Sequence, residues 1–520
     1  MLILITTLLL FAAALTLVIL RLTRPEFRFT WLIATSITFL AFITVILWQV
    51  QIPLSFTLPA WEPASLFSTS PSFSADRLSW PYALSLVTVV LAILLTASVR
   101  EDFSSSLSWA GSITLCGLGL LAVTASNPLT LVMVWAALDL AELVAMLRSV
   151  KGREASERVV IAFSTRAGGI VLLLLADAVS STAGKAMDFL STPPQAGLLL
   201  LAAAGLRLGV LPLHLPYSSE SSLRRGVGTA LRLVTAASSL VLLARIPTSS
   251  LASPFTPLLL ILACIAALYG GWMWMRASDE LTGRPYWLIG LGGLAVASAL
   301  RGNPTGATAW GVALVLAGGA LFLASVQQTW INRAVLIGAW ALSSLPFSLT
   351  ASGWLNNVSG FDLFLPFLLI AQALIIVGLI RNTLRPSARA TLESQPVWAR
   401  SVYPSGIGIL LIVQLLLGFW GWDGAMQIGA WIAGIAASLL TLGLLWATPR
   451  FPALNPVRAH WVQPATNSRL DQLYQSLWDF YLRLGRFSQT ITNTLEGEGG
   501  IMWVLLFLVL FVSLIIQRKP

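Results

Sequence analysis

The chain has 520 residues, 57% of them hydrophobic and only 10% charged, where a soluble domain carries about 25% charged residues. That balance excludes a water-soluble globular protein, and its formal charge of +10 has to be located along the chain before it is read as a sign of nucleic-acid binding. Its two cysteines, Cys116 and Cys264, and two histidines, His214 and His460, are too scattered to form a metal or iron–sulfur site of recognisable spacing.

Apolar runs near twenty residues long recur from end to end. Each is long enough to cross about 30 Å of hydrocarbon, where a backbone without water must satisfy itself as helix. They predict an all-α integral membrane protein of about 16 transmembrane helices, some of them broken. The spans fall at 2–20, 30–50, 81–99, 107–126, 128–147, 157–180, 196–214, 226–246, 255–276, 286–301, 306–325, 332–352, 361–382, 402–421, 425–448 and 500–517. The first run has no basic flank before it and no small-residue cleavage site after it, so it reads as a retained helix and not a signal peptide. Residues 51–80 form a Ser- and Pro-rich loop long enough for a hairpin or lid.

Alternate loops differ sharply in basic residues. One set runs from Arg21, Arg24 and Arg28 through Arg148, Lys151 and Arg153 to Arg381, Arg385 and Arg400, and continues with Arg450, Arg458, Arg469, Arg483 and Arg486. The opposite set holds only Arg77, Lys185, Arg245 and Arg301, with Arg518 and Lys519 at the terminus. By the positive-inside rule the rich side is cytoplasmic and both termini lie outside. The charge therefore records topology; the partner it implies is the lipid bilayer, not nucleic acid. The 21 tryptophans suit interfacial belts.

Charge inside a span is costly and rarely incidental. The basic residues left inside spans are Arg166, Arg207 and Arg232, and the acids are Asp139 and Glu142 in the fifth helix with Asp177 near the end of the sixth. Asp139 and Glu142 are three apart and share a helix face. Pro212 and Pro216, flanking His214, should end or break the seventh helix, a device frequent in transporters. Asp139, Glu142, Arg166, Arg207, His214 and Arg232 thus form a candidate buried polar axis across helices five to eight. Two readings stand: a path for protons, or a structural ion-pair cluster that locks the helices.

The organisation that follows is 1–126 for helices one to four, 127–246 for core helices five to eight, and 255–448 for helices nine to fifteen. At 450–499, apolar Leu473, Leu477, Phe480, Tyr481, Leu484 and Phe487 alternate at helical spacing with charges such as Asp479 and Arg483, which predicts an amphipathic helix along the membrane surface or against other subunits, the other reading being a cytoplasmic connector that packs only on its own chain. A last anchor helix occupies 500–520.

Several motifs in this order resemble one family. Arg207-Leu-Gly-Val-Leu-Pro212-Leu-His214-Leu-Pro216 is similar to the seventh-helix motif of the antiporter-like membrane subunits of respiratory complex I, the proton-translocating NADH:quinone oxidoreductase. These subunits are related to multisubunit cation/proton antiporters and membrane-bound hydrogenases. Asp76-Arg-Leu-Ser79, Asn127-Pro-Leu-Thr-Leu with Trp135, Thr165-Arg166-Ala-Gly168, Ala244-Arg245, Asp279 with Tyr286, and Leu345-Pro346 follow other segments of the family. The surface helix before a last span resembles its largest member. The resemblance implies a membrane-arm subunit taking part in redox-coupled proton translocation in a bacterial inner or plasma membrane. It also implies other membrane subunits as partners, with quinone, iron–sulfur clusters and flavin held by partner subunits and no cofactor in this chain.

The departures bear on that function. Ala136 stands where the family has Glu, Gly169 where it has Asp, Arg207 for Lys, and Arg232 for His or Lys. The family's later titratable positions fall near Leu314, Gly318 and Trp354. Arg stays protonated in proteins, so it can bias a neighbour but cannot relay a proton. Asp139 is expected to restore one carboxylate with Arg207 as its fixed partner, and His214 is left as a candidate gate. Three functions stay open: a membrane-arm subunit with a rewired proton path, a subunit of a cation/proton antiporter or inorganic-carbon transporter, and a non-conducting structural subunit.

Overall fold

A computed structural model describes residues 1–27, 29–59, 70–99, 106–149, 153–182, 187–189, 192–217, 225–326, 328–354, 363–385, 392–420 and 425–447, with 423 and 476 as single residues. The stretch expected as an amphipathic surface helix, 450–499, and the expected anchor, 500–520, lie outside the described residues apart from Ser476.

Apolar runs become helices throughout. They are α1 (Leu2–Thr23), α2 (Thr30–Gln51), α3 (Trp80–Thr96), α4 (Ser106–Thr124), α5 (Pro128–Ser149), α6 (Arg153–Thr182), α7 (Pro194–Leu208) and α8 (Arg225–Leu243). There follow α9 (Thr256–Arg276), α10 (Arg284–Leu300), α11 (Pro304–Leu323), α12 (Thr329–Val335), α13 (Ile337–Ala341), α14 (Leu365–Leu384), α15 (Val397–Trp420) and α16 (Ile428–Ala447). Among the described residues, twelve helices are long and apolar enough to cross a membrane. Of the spans the sequence predicts, the seventh is a 15-residue helix, the tenth a 17-residue helix, and the twelfth is split into α12 and α13.

Prolines mark helix starts. Pro stands in the first turn of α3, α7, α9, α10, α11 and α14, where its missing N–H and fixed φ cost nothing. Asn127 caps α5 by accepting from the Thr130 amide at 2.9 Å, and Asn303 caps α11 by accepting from the Gly306 amide at 2.8 Å. The loop after α2 is a hairpin, β1 (Leu54–Thr57) paired antiparallel with β2 (Ser72–Ala75), Leu54 opposite Ala75. It leads into Asp76, whose carboxylate accepts from the Ser79 amide at 2.8 Å while its own amide donates to Ser79 Oγ at 2.9 Å. The same carboxylate pairs with Arg245 at 3.3 Å, so two of the motif segments meet in space.

The breaks have local causes. α7 stops at Leu208 because Gly209 turns left-handed (φ 74°) and brings its α-carbon close under the His214 carbonyl, a site with no room for a Cβ. Beyond α13, Ser344 and Phe347 also take positive φ, 57° and 63°, and the chain proceeds in turns to Trp354.

α3, α8 and α11 make the buried centre, with all of the apolar window of α11 enclosed, whereas most of the apolar window of α1, α2 and α16 is not buried within the chain. The expectation that tryptophans serve interfacial belts is corrected for several of them. Trp48, Trp135, Trp274, Trp287 and Trp310 are fully buried. Indole N–H groups find interior acceptors, Trp274 on the Ile375 carbonyl and Trp287 on the Leu314 carbonyl, each at 3.1 Å, which removes the need for an interface.

Candidate functional site

The site assembles on α5, α6, α7 and α8. Asp139 and Glu142 stand one helical turn apart on the inward face of α5, 2% and 4% exposed. Ala136, one turn earlier, is on the exposed side, so the inward carboxylate of this helix comes from Asp139. Arg207 lies in the last turn of α7, where the carbonyl end of the helix favours a cation. Its Nη1 and Nη2 donate to the two Asp139 carboxylate oxygens at 2.6 and 2.7 Å, a bidentate pair with side chains 1% and 2% exposed. The guanidinium is held further by Ser239 Oγ at 3.3 Å, the Arg166 carbonyl at 3.2 Å, and the face of Trp135 at 4.1 Å. Trp135 is itself fixed, donating from Nε1 to Ser238 Oγ at 3.1 Å.

Gly169 explains how the longer Arg fits. A Cβ at that position would lie 2.7 Å from Arg207 Cγ and 3.0 Å from its Cδ. The two positions fit each other: α6 carries no side chain at Gly169, where α7 lays the Arg207 stem across it.

Glu142 is clamped from two sides. Arg166 donates from Nη1 to one carboxylate oxygen and Arg232 from Nη1 to the other. Arg232 Nη2 also reaches Met146 Sδ at 3.1 Å, and its guanidinium lies 3.6 Å from the centre of the Tyr217 ring. A cavity of about 10 Å³, room for about one water, lies beside Glu142 and Asp139 and is walled by Met146, Phe163 and Tyr217. His214 is partly buried within electrostatic range of Arg166 and has no hydrogen bond to the cluster among the described residues: its Nδ1–H donates to the Pro212 carbonyl at 2.8 Å, and Nε2 has no partner there. Asp177 lies near the end of α6, three turns beyond Arg166 and outside this cluster. The structure therefore joins Asp139, Glu142, Arg166, Arg207 and Arg232 by ion pairs, with His214 beside Arg166 at the edge of the cluster and Asp177 apart from it.

The second half of the chain has a different interior. No Asp, Glu, His or Lys occurs in any helix from α9 to α16. The carbonyl of Leu314 accepts from Trp287, and a Cβ on Gly318 would meet the Trp287 Nε1 at 2.7 Å. Trp354 donates to Gln372 Oε1 at 2.9 Å and stands edge-on to Trp310 with ring centres 5.4 Å apart. The three positions where the family resemblance places titratable groups are occupied by packed indoles or the groups that seat them.

Several participants are not legible in the sequence. Ser239 and Tyr217 carry no distinguishing signal there. Arg284 and Arg245 fall in loops by their positions along the chain, yet both are buried, 4% and 7% exposed. Position between apolar runs shows where a loop lies, not how deep neighbouring helices bury it. The seven-residue spacing of Arg225 and Arg232, two turns on one face of α8, is the one sequence signal that ties them together.

No family model and no curated relative matches the sequence. Solved structures do match. A chain of the membrane-bound sulfane sulfur reductase, an archaeal respiratory membrane complex, superposes with a TM-score of 0.68 at 15% identity, over 97% of this chain and 99% of that one. A chain of the Mrp complex from Dietzia sp. DQ12-45-1b gives 0.68 at 15% identity, covering all of this chain and 63% of its own length. A chain of respiratory complex I from Thermus thermophilus gives 0.61 at 18% identity, over 85% of this chain and 100% of that one. At these identities the likeness establishes a shared fold, the antiporter-like membrane fold that the sequence motifs resemble.

Proposed function

We propose that this protein is an antiporter-like membrane-arm subunit of a multisubunit complex of the complex-I kind, whose own buried axis acts as fixed charge and bracing and does not relay protons. The observation that carries this reading is the clamping of both carboxylates of the axis, Asp139 and Glu142, by arginines. A proton relay needs groups that gain and lose a proton at modest cost, and a guanidinium does not. Both oxygens of each carboxylate are already taken by guanidinium N–H groups, which makes the pairs braces between helices. Beyond α8 the helices offer no Asp, Glu, His or Lys to continue a path.

Fixed charge is still useful in such an arm. Glu142, shared between two arginines, leaves a positive field for neighbouring subunits, and the ion pairs tie α5, α6, α7 and α8 into one unit. The partners of this reading are other membrane subunits, with quinone, iron–sulfur clusters and flavin held elsewhere in the complex, and the setting is a bacterial plasma membrane with both termini outside.

The equal likeness to the Mrp chain supports a second reading, a subunit of an ion antiporter without redox partners. Affinity purification of the tagged chain from gently solubilised native membranes separates the two. Recovery with iron–sulfur and quinone-site subunits supports the first reading. Recovery with small membrane subunits alone, and ion flux without electron transfer, supports the second and retires the first.

A further inference from the structure

The twelfth span runs as α12 and α13 and then leaves helical geometry from Leu342 to Trp354. Irregular backbone inside a span is tolerated only where protein buries it and supplies its hydrogen bonds. Ser344, Thr350, Ala351 and Ser352 are fully buried, and Trp354 is nearly so.

The polar groups freed where α13 stops are taken up one by one. The Ala341 carbonyl accepts from the Thr350 amide at 3.1 Å and from Thr350 Oγ1 at 2.9 Å. Thr350 Oγ1 in turn accepts from the Ser344 amide at 3.1 Å. The Leu342 carbonyl accepts from Gln372 Nε2 of α14 at 2.7 Å, and the same nitrogen donates to Ser344 Oγ at 3.1 Å. Gln372 Oε1 accepts from Trp354 Nε1 at 2.9 Å. One side-chain amide, 1% exposed, thus holds residue 342 and residue 354, the two ends of the excursion. Asn303 Nδ2 donates to the Ser352 carbonyl at 2.8 Å and Ser298 Oγ to the Gly353 carbonyl at 3.3 Å, which ties the same stretch to α10 and α11.

An interrupted helix serves either as a hinge or as a strut, and a hinge has to change φ and ψ without stranding its polar groups. Here Ser344 and Phe347 take φ of 57° and 63°, a conformation that residues with a Cβ keep only where their surroundings hold it. The surroundings are tight: Gly434 of α16 has no room for a Cβ against the Ser344 carbonyl, and Gly418 of α15 has none against the Phe347 carbonyl. We propose that Gln372 is a positioning residue that clasps the interrupted twelfth span shut, so that residues 342–354 form a fixed strut and not a gate. The proposal goes beyond the proposed function and holds in either kind of complex, because it uses none of the residues of the Asp139 and Glu142 ion pairs.

The test is hydrogen exchange of the full-length protein in nanodiscs at one pH and temperature, read by mass spectrometry with fragmentation that resolves the Ser344 and Thr350 amides. In the wild type both should be protected like the core of α11. Gln372→Met keeps the length of the side chain and removes its amide. It should speed these two amides roughly ten- to hundredfold and leave α3 and α11 as they were. Trp354→Phe takes the indole N–H away from Gln372 and should speed them roughly three- to tenfold. In a Gln372→Met background it should add little, because the bond it removes is already gone, whereas a side chain that only filled space would give additive effects. The proposal is overturned if the two wild-type amides exchange as freely as an exposed loop, or if Gln372→Met leaves them as protected as before. It is overturned equally if the acceleration spreads evenly to α3 and α11, or if the two changes add. Should Gln372→Met fail to fold, Trp354→Phe decides: acceleration confined to 342–354 supports the clasp, and none overturns it.

Discussion

Replacing Asp139 by Asn leaves the Arg207 guanidinium buried with its bidentate partner gone. The change removes the 2.6 and 2.7 Å hydrogen bonds between side chains that are 1% and 2% exposed. Breaking a buried pair by removing one member costs about 3–5 kcal/mol, most of it the desolvated charge left behind. Ser239, the Arg166 carbonyl and the Trp135 face remain, and Asn still offers one acceptor, which puts the expected destabilisation near the lower end, about 3 kcal/mol. Arg207→Met strands Asp139 instead, whose one ion-pair partner among the described residues is Arg207, so its cost belongs at the upper end, about 4–5 kcal/mol. The double variant strands no charge. Its destabilisation should be no greater than that of the worse single change, which makes the coupling energy at least about 3 kcal/mol, well outside the few tenths seen for independent sites. Reversible unfolding in mixed micelles, read by tryptophan fluorescence for wild type, both singles and the double, measures the cycle. Additive effects would refute the reasoning, because they would mean that the two charges are solvated separately and do not lock α5 to α7.

Other outcomes follow from the same geometry. Gly169→Ala should destabilise by about 1–3 kcal/mol through overpacking on the Arg207 stem, and that penalty should fall by more than half in an Arg207→Ala background, measured by the same unfolding titration. Trp354→Lys places a family-like titratable group in the second half, where Gln372 and Trp310 surround it; it should cost about 3–5 kcal/mol and add no proton conductance in vesicles. Asp76→Ala removes both the turn that starts α3 and the partner of Arg245, so it should cost about 1–2 kcal/mol and speed amide exchange in β1 and β2 while leaving the Asp139–Arg207 coupling energy unchanged.

Much of the fold is legible in the sequence because its signal is long and local. Every expected span from 2–20 to 425–448 falls on helix or on a broken helix, since twenty apolar residues leave the backbone no other choice in lipid. The seventh span ends six residues earlier than its apolar run suggests, because the left-handed turn at Gly209, and not Pro212, stops the helix. The split of the twelfth span depends on Ser344 and Phe347 at positive φ, which neither residue type signals. Within the site, the pairing of Asp139 with Arg207 is readable from helix-face spacing and the family motif. The clamping of Glu142 by both Arg166 and Arg232 is not, because it depends on how three helices cross. In the sequence Gly169 and Arg207 are two separate departures; only contact between α6 and α7 shows that they fit each other. Burial of Trp274 and Trp287 is invisible to composition, because an indole's preference for interface or core turns on whether a carbonyl waits inside.

Whether the buried axis of this chain holds charge without passing protons is tested most directly by proton flux. The measurement is the number of protons translocated per turnover by the purified native complex in sealed vesicles, with wild-type chain and with Asp139→Asn/Arg207→Met, after assembly of the variant has been verified by subunit stoichiometry. Fixed charge predicts an unchanged ratio, with any effect confined to thermal stability. A fully assembled complex that loses translocation on removal of this neutralised pair would contradict it and return Asp139 to the proton path.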